Sequence, residues 1–372
     1  VITREDSLNA GLIASKSATV ISGYGSFKYA NNLKDKSASI NVDRVIIFIG
    51  HKFNNKISFF SELEIEDAKI EGGAVGGEFA LEQAFIKFNI NRNNYISAGL
   101  IIPRIGIINE NHLPTTFNGN ERTMVEKYII PSTWRELGLS LYGYSNKIAG
   151  LNYSLALVNG LSSANFESGN GIRGGRYEGS NANASSLAVT GSLLYYRGNF
   201  RGQISSYFGG SAGISKTVAD SLMLNNGVFG TGVSLSEFNI QYLGNRFQAK
   251  TLVTFVQIPS AEKINAAYNN NTPEKMLGSY IELDYNLVKT EERTFRIFSR
   301  YEFLDMNYTM ARKSNSSIIK QHYLISGLSY LPVNGVIIKL DYTYQLNQNQ
   351  SSVNPMQSIN GHFIKLGLGY SF

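Results

Sequence analysis

Four histidines, His51, His112, His322 and His362, are scattered through the 372 residues with no pair at metal-ligand spacing, and cysteine is absent. Disulfides, thiolate zinc sites and cysteine nucleophiles are thereby excluded. His112 reads as a hydrogen-bonded loop histidine. Serine is common, but no serine is marked by a neighbouring base, so nothing points to an enzyme or to a cofactor. Gly169-Asn170-Gly171-Ile172-Arg173-Gly174-Gly175 looks like a phosphate cradle only superficially, because no strand-to-helix context surrounds it. What remains is charge. Acidic and basic side chains recur at every second position along many stretches, and rows of that kind act on a solute through their field.

Alternation of this kind has to be positioned by strands. In Val336-Ile337-Ile338-Lys339-Leu340-Asp341-Tyr342-Thr343-Tyr344-Gln345-Leu346 the even positions are apolar or aromatic and the odd ones, Ile337 apart, are polar. A strand sends these two sets to opposite faces, whereas a helix would mix them. Segments with this period are expected near 18–30, 38–52, 56–67, 77–89, 94–102, 134–144, 151–158 and 185–196. The second half adds 200–211, 226–243, 246–258, 276–288, 294–305, 320–331, 335–346 and 360–372. Sixteen is an even number, as bacterial outer-membrane barrels require.

Composition fits. The chain is 17% charged, below the roughly 25% of soluble domains, with 36 Gly, 22 Tyr, 21 Phe and a net charge of +6. No run approaches the roughly 18 apolar residues of a membrane helix. Basic stripes interleaved with aromatics are missing, so no nucleic-acid partner is expected. Short connections rich in Asn and Gly, such as 53–56, 91–94 and 244–246, alternate without exception with longer polar stretches, among them 159–184, 212–225, 259–275, 306–319 and 347–359. A membrane barrel has that asymmetry, with short turns on the periplasmic side and long loops outside. Ile364, Leu366, Leu368, Tyr370 and Phe372 then share one face of a final strand. The fold class expected is all-β, a 16-stranded antiparallel transmembrane barrel over residues 18–372. Tyr24, Tyr29, Tyr301, Tyr342 and Tyr370 are candidates for its membrane interfaces. Residues 1–17 do not alternate and read as a leader segment. A chain starting at Val1 without an apolar signal region reads as one whose signal peptide has been removed.

The longest connection, 103–133, is the least hydrophilic and suits a segment packed inside the bore to narrow it. Its charges balance, Arg104, Arg122 and Lys127 against Glu110, Glu121 and Glu126, and Arg104, Glu110, His112, Glu121, Arg122 and Lys127 are the constriction candidates. Three of its stretches resemble the phosphate-selective porin O/P family: Asn109-Glu110-Asn111-His112, Phe117-Asn118-Gly119-Asn120-Glu121-Arg122 and Ile130-Pro131-Ser132-Thr133-Trp134-Arg135-Glu136-Leu137-Gly138. That resemblance implies a homotrimeric outer-membrane channel with its third loop folded inward. In the family's phosphate-selective members basic residues line the bore, but that ladder has no motif-by-motif match here.

Alternation places Arg44, Lys56, Lys87, Arg201, Lys250, Arg296, Arg300, Lys339 and Lys365 in the lumen, against Glu62, Glu64, Glu66, Glu136, Glu282, Asp284, Glu302 and Asp341. Arg44 conflicts with strict parity, which would put Asp43 inside instead. The two signs are nearly balanced, so the wall is expected to be mixed. Arg296 and Arg300 either form an anion-attracting column or are neutralised by Glu282 and Asp284. The function expected is passive diffusion of small hydrophilic solutes, with at most a weak preference for anions such as phosphate. Its setting would be the outer membrane of a Gram-negative bacterium, with the lipid bilayer and lipopolysaccharide as surroundings. The alternative is a plugged accessory barrel that binds a partner through its loops.

Overall fold

The computed structural model describes residues 18–67, 77–211, 224, 228–311, 320–348 and 361–372. The expected leader, residues 1–17, lies outside the described residues, as do most of the stretches 212–225, 306–319 and 347–359. Sixteen antiparallel strands close into one barrel, each bonded to its sequence neighbours, with the first pairing the last. They are β1 (Thr19–Asn32), β2 (Ser37–Lys52), β3 (Ile57–Glu66), β4 (Glu78–Asn89), β5 (Asn94–Ile101), β6 (Glu136–Tyr144), β7 (Leu151–Asn159) and β8 (Leu187–Arg197). The other half comprises β9 (Phe200–Gly209), β10 (Val233–Leu243), β11 (Phe247–Gln257), β12 (Pro273–Lys289), β13 (Thr294–Met310), β14 (Lys320–Val333), β15 (Val336–Gln348) and β16 (Gly361–Ser371).

The period-two pattern sorts as expected. Ile281, Leu283 and Tyr285 of β12, and Ile364, Leu366 and Leu368 of β16, point outward, as do Tyr301 and Tyr342. Glu282, Asp284, Lys339, Asp341 and Lys365 point inward and are buried. Closure leaves no strand edge, so the ladder hydrogen bonds are satisfied all the way round.

Four expectations need correcting. The connection between β1 and β2 is only 33–36, as short as the turn 53–56, so the alternation of long and short holds from the second outward loop onward. Strand β10 starts at Val233 rather than 226, because Val228 and Phe229 form a turn. Tyr24 faces the bore, 2% exposed, and is no interface residue. The choice between Asp43 and Arg44 was also false. A β-bulge makes Ser26 pair with Arg44 and Phe27 with Val42, leaving Asp43 as the extra residue. The bulge reverses parity along β2: Ile40 is exposed before it, Ile46 and Phe48 are buried after it. Both Asp43 and Arg44 therefore reach the lumen.

Candidate functional site

The loop 102–135 runs inside the barrel, tied to inward side chains around much of its circumference. Gly106 N–H donates to Glu237 of β10, and Val125 N–H donates to Glu302 of β13 at 3.1 Å. Asn118 donates to Glu282 and Asp284 of β12, Asn120 to Asp341 of β15. Lys28 of β1 reaches Glu121 at 2.8 Å, and Lys339 donates to the Gly119 carbonyl at 2.8 Å. Within the loop lies one helix, α1 (Met124–Tyr128), whose first turn is capped by the Thr123 hydroxyl accepting from Glu126 N–H. Glu126 in turn accepts from Ile107 N–H and Ile108 N–H, and from the Tyr280 hydroxyl at 2.7 Å. Gly106 (φ +79°) allows this approach, since a Cβ there would run into the Glu126 carboxylate and Ile130.

Burial drives the Glu126 carboxyl up to about 7, with the two backbone donors and Tyr280 pulling the other way. Glu121 is the opposite case. Burial pushes it up, but Lys365, Lys28 and Lys127 outweigh that and hold it well below the usual carboxylate range. Two buried carboxylates in one loop thus sit in opposite electrostatic surroundings.

The third loop does not act alone, a feature the sequence reading missed. Residues 160–175 also turn inward, burying Leu161, Phe166 and Ile172. Arg173 donates to the Lys127 and Ser132 carbonyls, and Arg176 to those of Pro131 and Thr133. Beside them the connection 258–272, with helix α2 (Ala261–Tyr268), buries Ile258 and Ile264 and is tied on by Asn270 and Thr272. Trp134, fully buried 4.6 Å from the Tyr207 ring and donating to Glu136, sits in this apolar mass. The signal was present as isolated Phe and Ile residues in stretches otherwise polar.

The fates of the predicted lumen charges divide in two. Lys250, Glu282 and Arg300 are direct register partners across β11, β12 and β13, giving a plus–minus–plus row with contacts of 3.0 Å on each side of Glu282. Arg300 also pairs with Glu302 at 2.8 Å, and Arg296 with Asp284 at 3.4 Å. The proposed anion-attracting column is neutralised. Arg44 is likewise held by Glu64, Glu66 and Asp43. Arg104 bonds Glu110 at 2.6 Å and lies over the Tyr142 ring. Arg122, Lys127 and Arg201 differ, for among the described residues no carboxylate lies within ion-pair distance of them. Burial lowers the Arg122 guanidinium, and Arg44 beside it adds to this, against the pull of Glu66, Glu64 and Glu82.

Three cavities follow the bore. One of about 290 Å³ lies toward the long loops, where Lys28, Arg44, Arg122, Lys127 and Lys339 face Asp43, Glu66, Asp67 and Glu121. A second of about 270 Å³ has Arg201, Lys250, Arg296 and Arg300 against Glu110 and Glu282. The third, about 640 Å³, opens at the short-turn end and is lined by Lys52, Lys56, Lys87, Arg92 and Arg104, with no carboxylate among its described lining residues. Phe117 borders both the first and second cavities, and the Arg104–Glu110 pair stands between the second and third. Lys28, Lys52 and Arg92 were missed earlier. Lys28 is found by extending the parity of β1, whereas Lys52 and Arg92 belong to a strand end and a turn. Lys56 too sits in a turn, exposed at this mouth rather than on a strand.

No family model matches the chain. An uncharacterized protein of Aquifex aeolicus (strain VF5) is 29% identical over 352 residues, covering 88% of this chain and 76% of that protein. Among solved structures, the outer membrane channel DcaP of Acinetobacter baumannii superposes with a TM-score of 0.60 at 11% identity, covering 96% of this chain and 99% of that one. An anion-selective porin from Comamonas acidovorans gives 0.57 at 9% identity, covering 95% and 99%. The fold is shared with outer-membrane porins.

Proposed function

We propose that the protein is an outer-membrane diffusion channel that passes small hydrophilic solutes downhill and prefers anions. The carrying observation is the row of cavities along the bore, with Phe117 and the Arg104–Glu110 pair at their borders, ending in one whose described charged lining residues are all cations. Apolar side chains cover the outside of the barrel while the backbone pairs within the closed sheet, the arrangement a bilayer demands. Solute would be filtered where the third loop crosses, with Arg104, Glu110, Phe117 and Arg122 as the filtering residues, His112, Glu121 and Lys127 as their supports, and no catalytic group involved. The two solved structures that superpose on it, a channel and an anion-selective porin, favour the same reading. The finer placement, a homotrimer akin to the phosphate-selective porin O/P family in a lipopolysaccharide-containing membrane, rests on the motifs of the third loop.

One observation favours a second reading. The apolar mass formed by 102–135, 160–175 and 258–272 fills much of the bore, as a plugged accessory barrel would require. Planar-bilayer recording of the purified protein in a KCl gradient decides between them. Steady ohmic steps with a reversal potential on the anion side are expected, and block by low phosphate would support the finer placement. A correctly folded barrel that never conducts would establish the plug.

A further inference from the structure

The outward face of β13 to β16 repeats one arrangement that conduction does not use. Tyr301 and Phe303 of β13 flank His322 of β14, and Tyr342 and Tyr344 of β15 flank His362 of β16. In each copy a tyrosine hydroxyl meets the histidine Nδ1. The two rings lie 6.1 Å apart at 30° in the first copy and 6.0 Å apart at 36° in the second. The other aromatic stands 5.3 Å and 4.9 Å from the imidazole.

The two copies sit at one height in the wall. His362 stands opposite Tyr344 and Tyr344 opposite Leu324, with His322 two residues further toward the long loops. Two residues of about 3.4 Å against two strand spacings of about 4.8 Å is the offset of strands tilted about 35°, as membrane barrels are. The sense of the tilt agrees. Register followed from Leu366 in the middle of β16 descends to Phe247 of β11, beside the turn 244–246. The imidazoles are thus about 12 Å apart along the wall, by the same spacings. Toward the membrane centre the outward residues are Leu324, Leu340, Ile364 and Leu366. On the other side, Lys34 and Lys36 are exposed in the turn 33–36, whose Leu33 N–H donates to the His362 carbonyl, and Lys320 opens β14 with a side chain 43% exposed. Apolar band, aromatics, then cations is the order of hydrocarbon, interface and headgroups.

With a hydroxyl at Nδ1, Nε2 is the ring atom without a protein partner among the described residues. It carries the proton whenever the hydroxyl donates to Nδ1, and also in the imidazolium, so each copy offers an N–H donor at headgroup height. Phosphate oxygens are the strong acceptors found there. At the short-turn end His51, with Thr19 at its Nδ1 and Phe53 4.8 Å away, is a single copy among the described residues. We propose that His322 and His362 form a docking site for a phosphorylated glycolipid of the outer leaflet, of the lipopolysaccharide class. Each Nε2–H holds one phosphate, and a sugar lies over Tyr344 and Leu346, which stand on β15 between the two histidines. Two donors this far apart suit phosphates at both ends of a disaccharide better than the single phosphate of a glycerophospholipid. The assignment rests on the barrel lying in an outer membrane, and not on its conducting.

The test is calorimetric titration of the detergent-solubilised full chain with purified lipid A, which is diphosphorylated, and with its dephosphorylated form. Lipid A is expected to bind at least about tenfold more tightly. His322→Ala combined with His362→Ala should abolish that difference, with unheated gel mobility showing an intact barrel, while His51→Ala binds as the parent does. Tyr301→Phe with Tyr342→Phe keeps the rings and should lose part of it. Equal binding of the two lipid forms, or a double histidine variant that binds like the parent, overturns the proposal. Phosphatidylglycerol binding as tightly as lipid A also overturns it, leaving a general aromatic contact with the bilayer. Conductance is read separately. Both imidazoles face away from the bore, so channel steps should match in parent and double variant, and a protein that binds lipid A but never conducts sinks only the channel reading.

Discussion

The two ends of the bore use the same residue types and arrive at different fields. Toward the long loops, five cations face four carboxylates, and Lys28 and Arg44 are paired with three of them. At the short-turn end, five cations line the cavity of about 640 Å³ with no described carboxylate among them. A count over the whole lumen came out nearly even and so suggested a mixed wall. The structure shows that the balance is an average over two ends whose cavity linings differ in charge. Several pairs follow register: Arg44 stands opposite Glu66, and Glu282 between Lys250 and Arg300. Selectivity should therefore reside at the short-turn mouth, where no described carboxylate joins the cations of the lining, and the other end should serve chiefly to seat the loop.

The largest effect should come from breaking a pair. Arg300→Ala leaves Glu302 without its guanidinium and removes a donor to the Asn118 carbonyl. Stripping one partner from a buried ion pair costs on the order of 3–5 kcal/mol, so thermal unfolding in detergent should fall well below that of the parent. Next, Lys56→Glu combined with Lys87→Glu should reverse the sign of the reversal potential in a KCl gradient. Asp43→Asn at the other end should barely move it; equal effects at both ends would dissolve the distinction drawn here. A smaller shift toward cations is expected for Arg104→Glu with Arg122→Glu, and an unchanged reversal potential would remove the third loop from the filter.

The smallest effect concerns pH. Glu126 has its carboxyl raised from 4.5 to about 7 in the folded chain. A group raised in this way lends stability that is complete below its ordinary value and is lost as pH rises through about 7. Loop anchoring should weaken over that interval, seen as growing open-channel noise, and Glu126→Gln should flatten the dependence.

The barrel was legible because a two-residue period forces each strand to declare its faces, and β15 and β16 did so almost without error. The inward course of 102–135 was legible from its length and its apolar content. Less could be seen where geometry departs from the simple period. One extra residue at Asp43 reverses the parity of β2, and no local property of the sequence there marks it. Tyr24 looked like an interface aromatic, yet its hydroxyl is used inside by Glu82 and His112. The inward turn of 160–175 depends on Arg173 and Arg176 finding carbonyls of another loop, a relation between distant segments.

The row Lys250–Glu282–Arg300 carries a consequence for heat. Water holds ions less favourably as temperature rises, so the penalty for burying them shrinks, while the gain from apolar packing levels off. On warming, the loop's ionic moorings to β11–β13 lose less than the greasy contacts around Trp134. The barrel should then fail first where 160–175 and 258–272 pack, with the charged seat of the third loop still in place.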